Sequence, residues 1–229
     1  MSVNMDTWKM DLLGETLLFG VLGKALQGNP DRQWLQSLIE QDIFSESPLD
    51  GTCPELESGL IHLQSWSREN RDGLSDEQFM QLQADYTRLF VGPGNISTPC
   101  WESVYFNEDR MVFQVQTIQV RQWYRRFGLE PEKLHNEPDD HIGLELSFIA
   151  YLAQLGLQAL DENDEIKLEQ VLQAQHQFIL EHPLKWVADW SGLVNKYAKT
   201  DFYRGLALLT HGALSVIAAQ LQSELSKEY

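Results

Sequence analysis

Apolar residues recur every three or four positions along almost the whole chain, the spacing of amphipathic helices. No two-residue alternation runs long enough to predict a strand. The first helix carries Leu12, Leu13, Thr16, Leu17, Gly20, Val21 and Lys24 as a mostly apolar stripe and ends near Gly28-Asn29-Pro30. A short helix over 31–39 follows, then a Ser, Pro, Asp and Gly loop over 44–54 and a helix over 55–66. Ser75-Asp76-Glu77-Gln78 has the form of a capping box opening a helix that runs to Phe90. Beyond a Gly/Pro/Ser/Thr connector at 91–99, a helix over 111–127 is stopped by Gly128. The next carries Leu144, Phe148, Tyr151, Leu152 and Leu155 on one face. Helices over 163–180, 185–197 and 202–225 complete the set, the last capped by Thr200 or Asp201. The pattern predicts an all-α fold, a single globular helical domain of about nine helices over 1–229. The one candidate hinge is at 91–99, which could also serve domain swapping.

Composition narrows the function classes. The 229 residues include 34 Asp+Glu against 17 Lys+Arg, a formal charge of −17, with 43% hydrophobic and 10% aromatic residues and seven Trp. That apolar content excludes a disordered chain and supplies a real core. The negative excess repels phosphates, so nucleic acid is a poor partner, whereas a basic partner is steered in. Cys53 and Cys100 form neither a disulfide framework nor a zinc set. The N-terminus lacks a basic n-region and a cleavage site, and no run of 18 apolar residues occurs. The expectation is a cytoplasmic protein with no transmembrane segment.

Two stretches carry candidate chemistry. In the first, Leu89-Phe90-Val91-Gly92-Pro93-Gly94 leads through Thr98-Pro99-Cys100-Trp101-Glu102-Ser103-Val104-Tyr105, where Trp101 and Tyr105 either anchor a loop or line a groove. Its glycines match neither a P-loop nor a dinucleotide fingerprint. The second is Asn136-Glu137-Pro138-Asp139-Asp140-His141-Ile142-Gly143. Pro138 pushes Glu137 toward extended backbone, and Asp139 or Asp140 is placed to cap the next helix. From 130 to 145 there are six acidic residues against one Lys, so negative charge gathers at that helix start. The helix dipole disfavours a protonated His141, which is expected to be neutral and hydrogen-bonded.

These stretches resemble the TorD/DmsD group of chaperones that mature molybdenum-containing reductases, the DmsD type most of all. Besides the two stretches, the matching residues are Val120-Arg121-Gln122-Trp123-Tyr124 with Gly128, and Phe202-Tyr203-Arg204-Gly205-Leu206. The resemblance covers about residues 86 to 210. It implies a system-specific chaperone that binds the twin-arginine signal peptide of a molybdoenzyme catalytic subunit, DMSO/TMAO reductase-like. Such a chaperone assists folding, cofactor insertion and export proofreading, with no catalysis and no cofactor of its own. Carried over, the signal-peptide-binding residues would be Trp101, Tyr105, Glu137, Pro138, Asp140 and His141. Gly94 stands where some DmsD-type chains have an aromatic, which thins the implied aromatic lining.

The residues suit that role. A twin-arginine leader is basic and then apolar, so its binder should offer carboxylates for guanidinium beside an aromatic groove. On this view Asp140→Ala weakens leader binding more than it lowers the melting temperature. Two rivals remain open: a hydrolase built on Cys100, His141 and Asp140, and a metal site from His135, Glu137, His141 and Glu145. Nucleotide binding is left unassigned. Arg125-Arg126-Phe127 imitates a leader motif but sits at a helix end in mid-chain.

Overall fold

The computed structural model describes residues 5–92, 96–130 and 138–226, with side chains from Trp8 onward. Among these residues the chain forms nine α-helices and no strand, as the periodicity predicts. They are α1 (Met5–Gln27), α2 (Arg32–Glu40), α3 (Pro54–Glu69), α4 (Asp76–Tyr86), α5 (Val115–Arg126), α6 (Ile142–Asp161), α7 (Glu165–Glu181), α8 (Val187–Tyr197) and α9 (Asp201–Leu225).

Local chemistry sets several starts. Asp31 accepts from Trp34 N at 2.7 Å to begin α2, and Asp164 accepts from Lys167 N at 2.9 Å to begin α7. Ser75 and Gln78 close the expected capping box. The α9 start differs from expectation. Thr200 spends its hydroxyl on Asp85, and Asp85 Oδ2 itself accepts from Lys199 N and Thr200 N at 2.9 and 2.8 Å. A buried carboxylate from α4 thus replaces a local cap.

Two other boundaries move. α4 passes after Tyr86 into a π-helical turn, Thr87–Val91, which ends at Gly92 with φ 55°. α5 begins at Val115, not 111, because Asn107 closes a turn first: its side chain accepts from Met111 N and donates to Met111 O and Ser103 O. Of the connector at 91–99, Pro93, Gly94 and Asn95 lie outside the described residues. Its far end is tied back by Thr98 Oγ1 donating to Leu89 O at 2.6 Å.

Helices from the two halves of the chain interleave. α1 lies along α6 and α3 along α9, while α7 packs on both α6 and α9 and α8 packs on α9. Close approach needs glycine at both crossings. A Cβ at Gly143 would sit 3.0 Å from Gly23 O, and one at Gly59 would sit 2.5 Å from Leu209 N. Trp186, Trp190, Phe178, Phe202 and Tyr203 fill the centre of one shared core. α6 and α9 are long and apolar enough to cross a bilayer by length and composition, but most of each is buried in this core.

The buried face of α1 is a correction to the predicted stripe. Leu13 and Leu17 are exposed, whereas Leu12, Glu15, Phe19, Leu22 and Leu26 are buried. Glu15 reads as a polar interruption in sequence, yet it is buried against α7, where Gln175 Nε2 donates to its carboxyl. Desolvation pushes its pKa up to about 8; the Gln175 bond opposes this weakly and Asp11 adds to it. The folded state therefore holds a proton that the unfolded chain releases. The Glu15 contribution to stability is fully present below about pH 4.5, falls as pH rises toward 8, and levels off above. Glu15→Gln is expected to raise stability by about 4 kcal/mol at pH 8 and leave it nearly unchanged at pH 4.5. Thermal melts across that range check this, and an equal effect at both pH values would contradict it.

Candidate functional site

The two candidate stretches, far apart in sequence, meet directly. Trp101 and His141 form an isolated antiparallel bridge. Ile142 N donates to Cys100 O at 2.8 Å and Glu102 N donates to Asp140 O at 2.9 Å. The chain then turns through a 3-10 segment, Glu102–Tyr105, on one side and enters α6 on the other. This two-stretch clasp is the candidate site.

Asp140 ties it together from inside. It is fully buried, with Oδ2 accepting from Ser103 N and Oδ1 from Thr117 Oγ1, each at 2.7 Å. One carboxylate thus joins the 3-10 turn, α5 and the start of α6. Asp139, also buried, pairs with Arg121 of α5, whose Nε donates at 2.7 Å, while Tyr124 OH donates to Asp139 O at 3.0 Å. Neither aspartate is the N-cap of α6. His141 occupies that position and accepts from Gly143 N through Nδ1 at 3.1 Å. That bond requires an unprotonated Nδ1, and burial pulls the pKa down to about 4. His141 is therefore neutral, as expected from sequence, but burial rather than the helix dipole is the main cause.

Behind the clasp lies a second buried layer. Glu102 Oε2 is hydrogen-bonded to His182 Nδ1 at 2.9 Å, both side chains being almost fully buried. Glu145, one turn into α6, faces Glu102 and the Trp186 indole without a well-formed hydrogen bond to either oxygen. Desolvation, then the neighbouring Glu102 and Asp140, push its pKa well above the ordinary value of a glutamate.

At the surface, Trp101 is half-buried and stands edge-on over His141, ring centroids 5.6 Å apart. Tyr105 is also half-buried; its ring lies 5.0 Å from Trp186 and its hydroxyl donates to Pro99 O at 2.9 Å. Pro138 is buried, and Glu137 lies outside the described residues. The sequence reading missed the segment that follows. Phe106, Met111, Phe113, Val115 and Ile118 are all exposed, each at 45% or more, and the exposed acids Glu108 and Asp109 stand among them. The Asn107 turn holds this rim in place. Its signal in the sequence is a set of apolar residues with no helical period, Phe106 to Val115, interrupted by Asn107-Glu108-Asp109-Arg110.

The hydrolase alternative fails on this geometry. Cys100 is buried and desolvation drives its thiol pKa upward, while the His141 and Asp140 acceptors are already engaged by Gly143, Ser103 and Thr117. For the metal alternative, His135 and Glu137 lie outside the described residues. Among those described, no three His, Cys, Asp or Glu side chains converge as a metal site.

Residues 48–191 match the family of the nitrate reductase delta subunit. The chain is 32% identical over 187 residues to the Tat proofreading chaperone DmsD of Salmonella typhimurium, covering 82% of this chain and 78% of that one. It is 32% identical over 129 residues to a probable Tat proofreading chaperone DmsD of Haemophilus influenzae, spanning 56% of each protein. With the chaperone protein TorD of Aliivibrio salmonicida, identity is 26% over 78% of this chain and 85% of the relative.

Proposed function

The chain belongs to the nitrate reductase delta subunit family, the TorD/DmsD chaperones, and on that premise we propose that it binds the twin-arginine leader of a redox-enzyme precursor in the cytoplasm. Its relatives are chaperones and it is not an enzyme. The precursor it serves is the catalytic subunit of a molybdopterin-containing reductase of the DMSO/TMAO type. The chaperone holds that subunit from export while it folds and receives its cofactor.

The observation that carries this reading is the clasp, which gathers both motif stretches and opens onto an apolar rim with acids in it. Trp101 and Tyr105 contact the leader through their exposed ring edges. Pro138, Asp140 and His141 act from below as positioning residues, since all three are buried. Phe106, Met111, Phe113, Val115 and Ile118 cover the apolar part of the leader. Glu108, Asp109 and Glu137 supply carboxylates to the arginines, a pairing that is bidentate and strong for guanidinium.

Titration calorimetry with the synthetic leader tests this. Saturable binding at micromolar Kd or tighter is expected, about −8 kcal/mol or better. Absence of saturable binding would remove the proposal.

A further inference from the structure

A cleft of about 540 Å³ separates α5 from α7, lined by Gln119, Gln122, Trp123 and Arg126 on one side and by Gln177, Glu181, His182 and Lys185 on the other. Its size lies within the roughly 300–1,000 Å³ typical of ligand pockets. Its charge is the reverse of the molecule's. α5 carries Arg121, Arg125 and Arg126 and no acid, in a chain with a net charge of −17. Arg121 is committed to Asp139, but neither Arg126 nor Lys185 forms an ion pair among the described residues. Arg126 is instead held over the Trp123 ring, 5.0 Å from its centroid, which fixes a guanidinium at the cleft wall. Among the described residues Glu181 is the only acid in the lining.

The floor is connected to the clasp. His182 is buried and its Nδ1 is taken by Glu102, the first residue of the turn that carries Tyr105. Nε2 is the ring nitrogen left for a ligand. Around it, the amides of Gln119 and Gln122 each offer a donor and an acceptor, the pairing that a peptide main chain needs, while Gln177 Nε2 donates to Glu181 Oε1 at 2.8 Å and leaves its carbonyl as acceptor.

We propose that this cleft is a second binding site, distinct from the leader site, that takes an acidic peptide segment. Carboxylates of the segment pair with Arg126 and Lys185, and its main chain pairs with the amides of Gln119, Gln122 and Gln177. The basic leader is repelled from this cleft, so the two sites sort peptides by charge. The proposal stands on the cleft itself and does not depend on the leader reading.

The test is calorimetry with an end-blocked octapeptide alternating Asp and Leu, against the same peptide with Lys for Asp. Saturable binding of the acidic peptide is expected. Arg126→Glu with Lys185→Glu should weaken it at least tenfold, as should Gln177→Glu, an exposed change on the opposite wall. Melting temperature and leader affinity should hold in both variants. Unchanged acidic-peptide binding in folded variants would overturn the proposal, and so would equal binding of the Lys peptide. Displacement of the peptide by equimolar inorganic phosphate would also overturn it, by marking a small-anion site.

Discussion

Asp140→Ala is expected to cost about 3–5 kcal/mol of stability and to abolish measurable leader binding at micromolar concentrations. The substitution leaves Ser103 N and the Thr117 hydroxyl without their acceptor in a buried setting, and each such orphan costs about 1–3 kcal/mol. For a chain of this length that is a fall of about 10 °C in melting temperature. Leader binding goes with it, because the 3-10 turn bearing Tyr105 loses its tether to α5 and α6. The sequence reading instead has Asp140 touch the leader, so that its loss weakens binding more than it lowers the melting temperature. Thr117→Val should reproduce a smaller part of both effects, since it removes one of the two bonds from a residue that the leader never contacts. A variant at 140 that melts like the parent yet no longer binds would show that Asp140 is a direct contact after all.

Trp101→Ala is expected to weaken leader binding about 30-fold or more while lowering the melting temperature by only a few degrees. The ring is half-buried and its packing partner is the edge of His141, so the fold has little to lose. A half-buried, pinned aromatic at a binding rim is the residue type that most often contributes 2 kcal/mol or more to an interface. Trp101→Phe should recover part of the affinity. The two variants together separate contact from positioning: one loses affinity with the fold kept, the other loses both. Equal loss of stability in both would mean that Trp101 is a core anchor.

The helices were legible in the sequence because their signals are local. Capping box and apolar spacing act within a turn or two: α4 starts where the box indicates, and α2 and α7 begin within two residues of the predicted starts. Features that depend on distant partners were not legible. The phase of α1 is rotated because burying Glu15 needs Gln175, 160 residues away. The α9 cap comes from Asp85 on another helix, which no scan of residues near Thr200 would find. At the site, the two motif stretches were identified, but not that an antiparallel bridge joins them. Nor does sequence reveal that Asp140 points inward while Glu108 and Asp109 remain outside. A carboxylate next to a helix start looks the same on paper whether it caps, braces or binds.

The account's central claim is that paired guanidinium groups followed by an apolar stretch are what this protein recognises. Calorimetric titration of the leader peptide beside a variant whose two arginines are lysines tests it most directly. The account predicts that the arginine peptide binds at least tenfold more tightly, because lysine cannot make the bidentate pairing, and that the gap narrows as salt screens the acidic rim. Equal affinity of the two peptides at low salt would contradict it.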